Sequence, residues 1–234
     1  MHRSAQSTVR TLALGASCLL IPVALLATSC SSILGEPKDE ASKSASSDSP
    51  SASPTVKAAK FAELPSACRA VPAAKVKELV AKAKPASGTA VKSPDTSSRG
   101  GCVWSGLDGY QFRYLDVTLQ RLESDPALGT GEKRAEKAYA RTLKTEESTK
   151  DVAGLVVNKL AGLGDEAVSV SYTQKKDKET LVHQTVMVRL ANVVVMVRYE
   201  GSGFAGAKEP KAADIAKGAR SATEAALAAV ESAE

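Results

Sequence analysis

The chain has 234 residues, with 31 Lys and Arg against 26 Asp and Glu, a net charge of +5, four Cys and two His. Apolar residues reach 43%, which excludes disorder throughout, while aromatics at 4% leave little for base-stacking platforms. Two His leave little room for imidazole chemistry.

His2, Arg3 and Arg10 precede a stretch without charge from Thr11 to Gly35, whose apolar heart is Leu12 to Ala27. A basic start, a short apolar run and small residues at its end predict an export signal. The run meets Ala27-Thr28-Ser29-Cys30, which resembles the lipobox of bacterial lipoproteins, with Ala27 where that pattern prefers Leu. The resemblance implies a signal peptide over 1–29 and a diacylglycerol thioether on Cys30, a palmitate-class anchor holding the chain to the extracytoplasmic face of the cell membrane. Two acyl chains suffice for stable anchoring at ~0.8 kcal/mol per buried CH2. The alternatives are an uncleaved membrane helix and simple secretion. Gly15, Pro22 and the serines after Ala27 weigh against a spanning helix.

Ser31 to Lys60 holds nine Ser, three Pro and no aromatic residue, and its four Lys balance four acids. Such a segment buries too little apolar surface to offset the entropy of ordering, so 30–60 is expected to be a lipidated Cys followed by a flexible tether. All nine aromatics lie between Phe61 and Phe204, and this shift in composition places a single domain at 61–234.

After Pro72, Val76, Leu79, Val80 and Ala83 share one helical face, and the helix is expected to stop before Pro85. Residues 86–100, rich in Ser, Thr and Gly, predict a long surface loop. Cys102-Val103-Trp104 predicts a strand, Asp108-Gly109 a hairpin turn, and 111–122 the return strand, with Leu115, Val117 and Leu119 on one face. Residues 132–147 predict a helix with Ala135, Tyr139 and Leu143 recurring at i+4. Val168, Val170 and Tyr172 alternate with polar residues as a strand. The strongest strand signal is 181–190 and 193–199, joined by Ala191-Asn192, where Asn suits positive φ. A last helix over 211–232 has a small-residue stripe of Ile215, Ala219, Ala222, Ala226 and Val230. The sum is an α+β domain, an antiparallel sheet of about five strands with helices packed on it.

Cys18 would leave with the signal and Cys30 would carry lipid. Cys68 and Cys102 remain in an oxidising compartment, and a disulfide between them is the economical reading. A redox-active pair is the weaker alternative, because no Cys-x-x-Cys spacing is present.

These pieces together (Cys68 before a helix, Cys102-x-Trp104 on a strand, Gly162 to Ala167, and a Val-rich hairpin from Met187 to Tyr199 before a terminal helix) resemble small lipoproteins of actinobacteria whose function is uncharacterised. Some exported actinobacterial domains of this general shape are similar in fold to PsbP-like sandwiches or to the extracellular sensor domains of receptor kinases. The resemblance implies location and fold more than activity.

No catalytic set stands out. His183 lies on the polar side of its strand without a Gly-x-Ser-x-Gly elbow, and Asp165-Glu166 would point to opposite faces of a strand. Neither a metal site nor a cofactor is expected. The segment 175–179, of mixed charge, reads as a solvated hairpin tip. Gly201 to Gly206 reads as a flexible loop in which Phe204 either tucks onto the core or forms the lip of a ligand groove, with Trp104 a second candidate for that groove. Export and the lack of basic stripes with interleaved aromatics disfavour nucleic acid. The expected function is a lipid-anchored binding or sensor-like domain at the cell envelope. Its partner would be an envelope protein or a small hydrophobic ligand. The alternatives are an envelope hydrolase or transferase built on Asp and Glu, and a structural accessory of a membrane complex.

Overall fold

A computed structural model of the chain describes residues 56–233. The expected signal peptide, Cys30 and the tether up to residue 55 lie outside the described residues. Among the described residues, no helix is long and apolar enough to cross a membrane.

The elements in chain order are α1 (Ala67–Ala70), α2 (Ala73–Leu79), β1 (Thr89–Val91), β2 (Arg99–Asp108), β3 (Gln111–Arg121), α3 (Gly131–Glu147), β4 (Ala153–Lys159), β5 (Glu166–Lys176), β6 (Glu179–Leu190), β7 (Val193–Gly203) and α4 (Ala212–Glu231). The seven strands form one antiparallel sheet in the order β1-β2-β3-β7-β6-β5-β4. Two meanders, β1 to β3 and β4 to β7, meet where β7 returns beside β3, and α3 carries the chain from β3 to the far edge.

The domain is α+β, but the sheet has seven strands rather than five. The two extra strands are its edges. β1 falls inside the expected loop and exposes all three of its residues. β4 is mostly exposed, and its register with β5 shifts between Ala153 and Val156. An edge strand that buries little shows no two-residue alternation to read.

On one face of the sheet, Leu115, Val117 and Leu119 of β3, Val182, Val186 and Val188 of β6, and Val193, Val195 and Val197 of β7 meet Ile215, Ala219, Ala222, Ala226 and Val230 of α4. Each large side chain buried here stabilises by roughly 1.5–3 kcal/mol. The small residues let α4 approach closely: a Cβ on Gly218 would come within 2.6 Å of the Tyr199 ring. Val76 and Leu79 of α2 join the same core. α2 ends at Leu79, short of the expected Ala83, and the Tyr199 hydroxyl donates to the Leu79 carbonyl at 2.6 Å. That bond satisfies one carbonyl that the helix end leaves open.

The Cys68–Cys102 disulfide expected from the cysteine inventory is present, with the two Cα atoms 5.0 Å apart. The 191–192 turn is also present, but Ala191 takes the positive φ of 49°. Asn192 instead turns its amide inward. Its Oδ1 accepts from the Phe61 N–H at 2.8 Å, and its Nδ2 donates to the carbonyls of Phe61 and Leu122 at 2.9 and 3.0 Å.

The opposite face is only partly covered. Thr130 caps α3 by accepting from the Lys133 N–H. Ala135, Ala138 and Tyr139 of α3 pack on Val168, Met187 and Val194. Beyond its last turn, this face carries charged, polar and aromatic side chains, with Val103, Val170 and Leu181 among them.

Candidate functional site

The strand register lays this uncovered face out in rows. One row reads Ser105, Tyr114, Glu200, His183 and Tyr172 across β2, β3, β7, β6 and β5. The next row towards α3 reads Val103, Asp116, Arg198, Thr185 and Val170. In β7 these charges alternate with Val197 and Tyr199 of the core face, so two-residue periodicity places them on one side.

His183 is almost wholly buried, its side chain 1% exposed. Its ring stacks on Tyr172 with centroids 3.9 Å apart. Its Nδ1 lies 2.7 Å from Glu200 Oε1 and its Nε2 lies 2.8 Å from Thr185 Oγ1. The Thr185 hydroxyl donates to Glu146 Oε2 at 3.3 Å. Glu146 comes from the last turn of α3, where an acid opposes the helix dipole, and Arg198 Nη2 compensates by donating to its Oε1 at 3.2 Å.

Arg198 serves three carboxylates, since Asp116 Oδ2 and Glu200 Oε1 each lie 3.9 Å from its guanidinium. Burial works against the Arg198 charge, but Glu146, Asp116 and Glu200 outweigh it and raise its pKa. Burial raises the Asp116 pKa despite Arg198 and the Thr118 hydroxyl bond. Burial likewise raises the phenols of Tyr114 and Tyr172.

Asp116→Asn is expected to be more stable than the parent at pH 7, because the amide still accepts from Thr118 without burying a charge. A raised pKa means that the folded state holds the Asp116 proton more tightly than the unfolded chain does. The parent therefore has that stability in full below 3.8 and loses it as pH rises through the raised value. The advantage of the variant should shrink on acidification. Urea unfolding at pH 7 and again below pH 3.8 measures this. A variant less stable by more than about 1 kcal/mol at pH 7 would show that attraction to Arg198 outweighs the burial cost.

Thr185, His183 and Glu200 have the connectivity of a nucleophile, a base and an orienting acid. The position of Thr185 argues against that use: it is 0% exposed, and its hydroxyl is bonded to Glu146. A nucleophile must reach its substrate, and this one is sealed under the end of α3.

The row on the other side of Glu200 is open. Phe112, Tyr114, Leu181, Glu200, Ser202 and Phe204, rimmed by Lys176, Asp177 and Glu179, enclose about 550 Å³. That is within the usual range for small-molecule sites. Phe204 stacks on Phe112 with centroids 5.4 Å apart. Ser202 is 1% exposed, and its hydroxyl has no hydrogen-bond partner among the described residues.

The flexible loop expected over 201–206 differs in the structure. β7 runs on to Gly203, and the residues after it are fastened to both neighbouring hairpins. The Phe204 N–H donates to the Tyr110 carbonyl at 2.8 Å, and the Ala205 N–H donates to Glu179 Oε1 at 3.2 Å. Glycine is required in this stretch of β7, since a Cβ on Gly203 would come within 2.3 Å of the Ala207 carbonyl.

Phe204 therefore lines a pocket, but Trp104 does not share it. Trp104 is 2% exposed and lies in the core of the α4 face, next to Cys102 and beneath Gly88. Asp165 and Glu166 both bind Arg189, whose Nη1 lies 2.9 Å from Asp165 and whose Nη2 lies 2.8 Å from Glu166. Asp165 also accepts from the Ala191 N–H, so the pair braces the β6–β7 turn. The charged tip at 175–179 is a pocket wall as well as a solvated turn. The sequence reading singled out none of Asp116, Glu146, Arg198, Glu200 and Ser202. Asp116, Arg198 and Glu200 alternate with core residues along their strands, which reads equally well as an ordinary solvated face, while Glu146 lies on a helix and Ser202 between glycines.

Fold and site together define an α+β domain whose free sheet face ends in an apolar-walled pocket beside a buried charge cluster. Set against models of protein families, curated proteins and solved structures, the chain matches none.

Proposed function

We propose that this chain is a lipid-anchored, extracytoplasmic ligand-binding domain of the bacterial cell envelope, and that its ligand is a small molecule seated in the pocket that Phe112, Phe204 and Ser202 line. The observation that carries the reading is the pocket itself: aromatic and aliphatic walls converge on a buried Ser202 hydroxyl that lacks a partner. A buried hydroxyl without a bond is costly, and a ligand atom at that position would satisfy it. The envelope address rests on the N-terminal residues ending in Ala27-Thr28-Ser29-Cys30. The Cys68–Cys102 bridge supports an oxidising compartment.

Native mass spectrometry of the full chain taken from membranes in mild detergent tests both parts. The expected result is a diacylglycerol on an N-terminal Cys30 and an added small-molecule mass that Phe204→Ala loses. An unmodified Cys30 still behind Ser29 would overturn the anchor. A parent protein that is empty in every preparation would overturn the ligand.

A further inference from the structure

We infer that the ligand is an organic cation, an ammonium group on an apolar body; this inference rests on the pocket reading above and names the chemistry that the pocket selects. Three observations carry it.

The lining has an excess of acid. Asp177, Glu179 and Glu200 face the space against a single Lys176. The acid at its floor, Glu200, is held from behind through Oε1 alone, by His183 Nδ1 at 2.7 Å and more distantly by Arg198 at 3.9 Å, and Arg198 is divided among Glu146, Asp116 and Glu200. An anion entering here would meet no guanidinium in the lining and would face Glu200 directly. A cation would complete the charge balance of the cluster.

The walls suit a cation as well as an apolar body. Phe112, Tyr114 and Phe204 present ring surface to the space, and aromatic faces attract ammonium groups most strongly where water is excluded. Tyr114 and Glu200 are direct cross-strand partners, so a ring and a carboxylate flank one position.

The site is built for a polar contact. Ser202 is the cross-strand partner of Phe112, and its hydroxyl is buried, unpartnered and part of the lining. An ammonium N–H at this end of the pocket would donate to the hydroxyl oxygen. In its absence, that oxygen has no donor among the described residues.

Three probes of one shape and different charge test the inference: phenethylammonium, 2-phenylethanol and phenylacetate, titrated at pH 7 into the full chain and followed by NMR shifts at Phe112, Phe204 and Ser202. Phenethylammonium is expected to bind at least about tenfold more tightly than either relative. Glu200→Gln should remove most of that preference while leaving 2-phenylethanol binding in place. Glu200 also holds His183, so Glu179→Gln, which keeps the acceptor for Ala205, is the second variant and should reduce the preference by a smaller factor. Equal binding of the cation and the alcohol would overturn the cationic ligand and leave the pocket reading standing. Tighter binding of phenylacetate would do the same. Absence of shifts at Phe112 and Phe204 with all three probes would overturn the inference, whereas the pocket reading falls only if the native protein is also empty.

Discussion

Replacing both Cys68 and Cys102 by Ala is expected to lower the stability of the domain by about 4 kcal/mol and its melting temperature by about 10 °C. The two residues are 34 apart in sequence, so the bridge closes a substantial loop in the unfolded chain. In the chain-entropy account, that restriction alone supplies most of the effect. The folded state adds to it, because Cys102 has no exposure and belongs to the same core cluster as Trp104 and Leu115. The bridge also ties α1 to β2, next to the β1 edge. Calorimetry of the double variant, and of the parent with and without reductant, makes the measurement. An unchanged melting temperature in both would show that the covalent link contributes nothing.

Asn192→Ala is expected to cost about 3 kcal/mol or more, a large effect for a residue in a tight turn. The amide is 0% exposed and makes three bonds, all to main-chain groups. Its removal strands the N–H and carbonyl of Phe61 and one bond to the Leu122 carbonyl, and each unsatisfied buried group costs about 1–3 kcal/mol. Phe61 is itself buried in the main core, so the segment ahead of α1 is pinned to the β6–β7 hairpin through this one side chain. Asn192→Asp keeps the acceptor for Phe61 but turns an acceptor on two carbonyls, and it should be no better tolerated. Urea unfolding gives the free energy, and amide exchange at Phe61 reports the local release. A loss below about 1 kcal/mol with Phe61 still protected would contradict the assignment.

The elements that were legible in the sequence are those whose burial is one-sided and complete. Leu115, Val117 and Leu119 announced β3, Val193, Val195 and Val197 announced β7, and the small stripe from Ile215 to Val230 announced α4. β1 and β4 were not legible, because edge strands with little burial carry no such alternation. The end of β7 was hidden by glycines. Gly201 and Gly203 read as a loop, yet both lie within the strand, where the Ala207 carbonyl requires glycine at 203 and Pro210 packs tightly against 201.

The site was harder to read for a different reason. Periodicity can place Asp116, Arg198 and Glu200 on one face, but it does not say whether water or another element covers them. The answer depends on where α3 crosses, and Glu146 reaches Arg198 across a sequence separation of 52. Asn192 shows the same limit. Its residue type suggests a turn, while its partner lies 131 positions away. Phe204, an aromatic between glycines, is conspicuous in the sequence but reads as core or as groove alike, and Trp104, equally conspicuous, belongs to the core beside the disulfide.

A seven-stranded open sheet has two borders, and each presents main-chain groups to which a strand from another molecule could add. β1 offers only three residues for such pairing. β4 breaks step with its own neighbour between Ala153 and Val156, and a displaced backbone makes a poor template for a further strand. The same short and irregular strands that are hardest to see in the sequence leave the sheet without a regular border on which to polymerise.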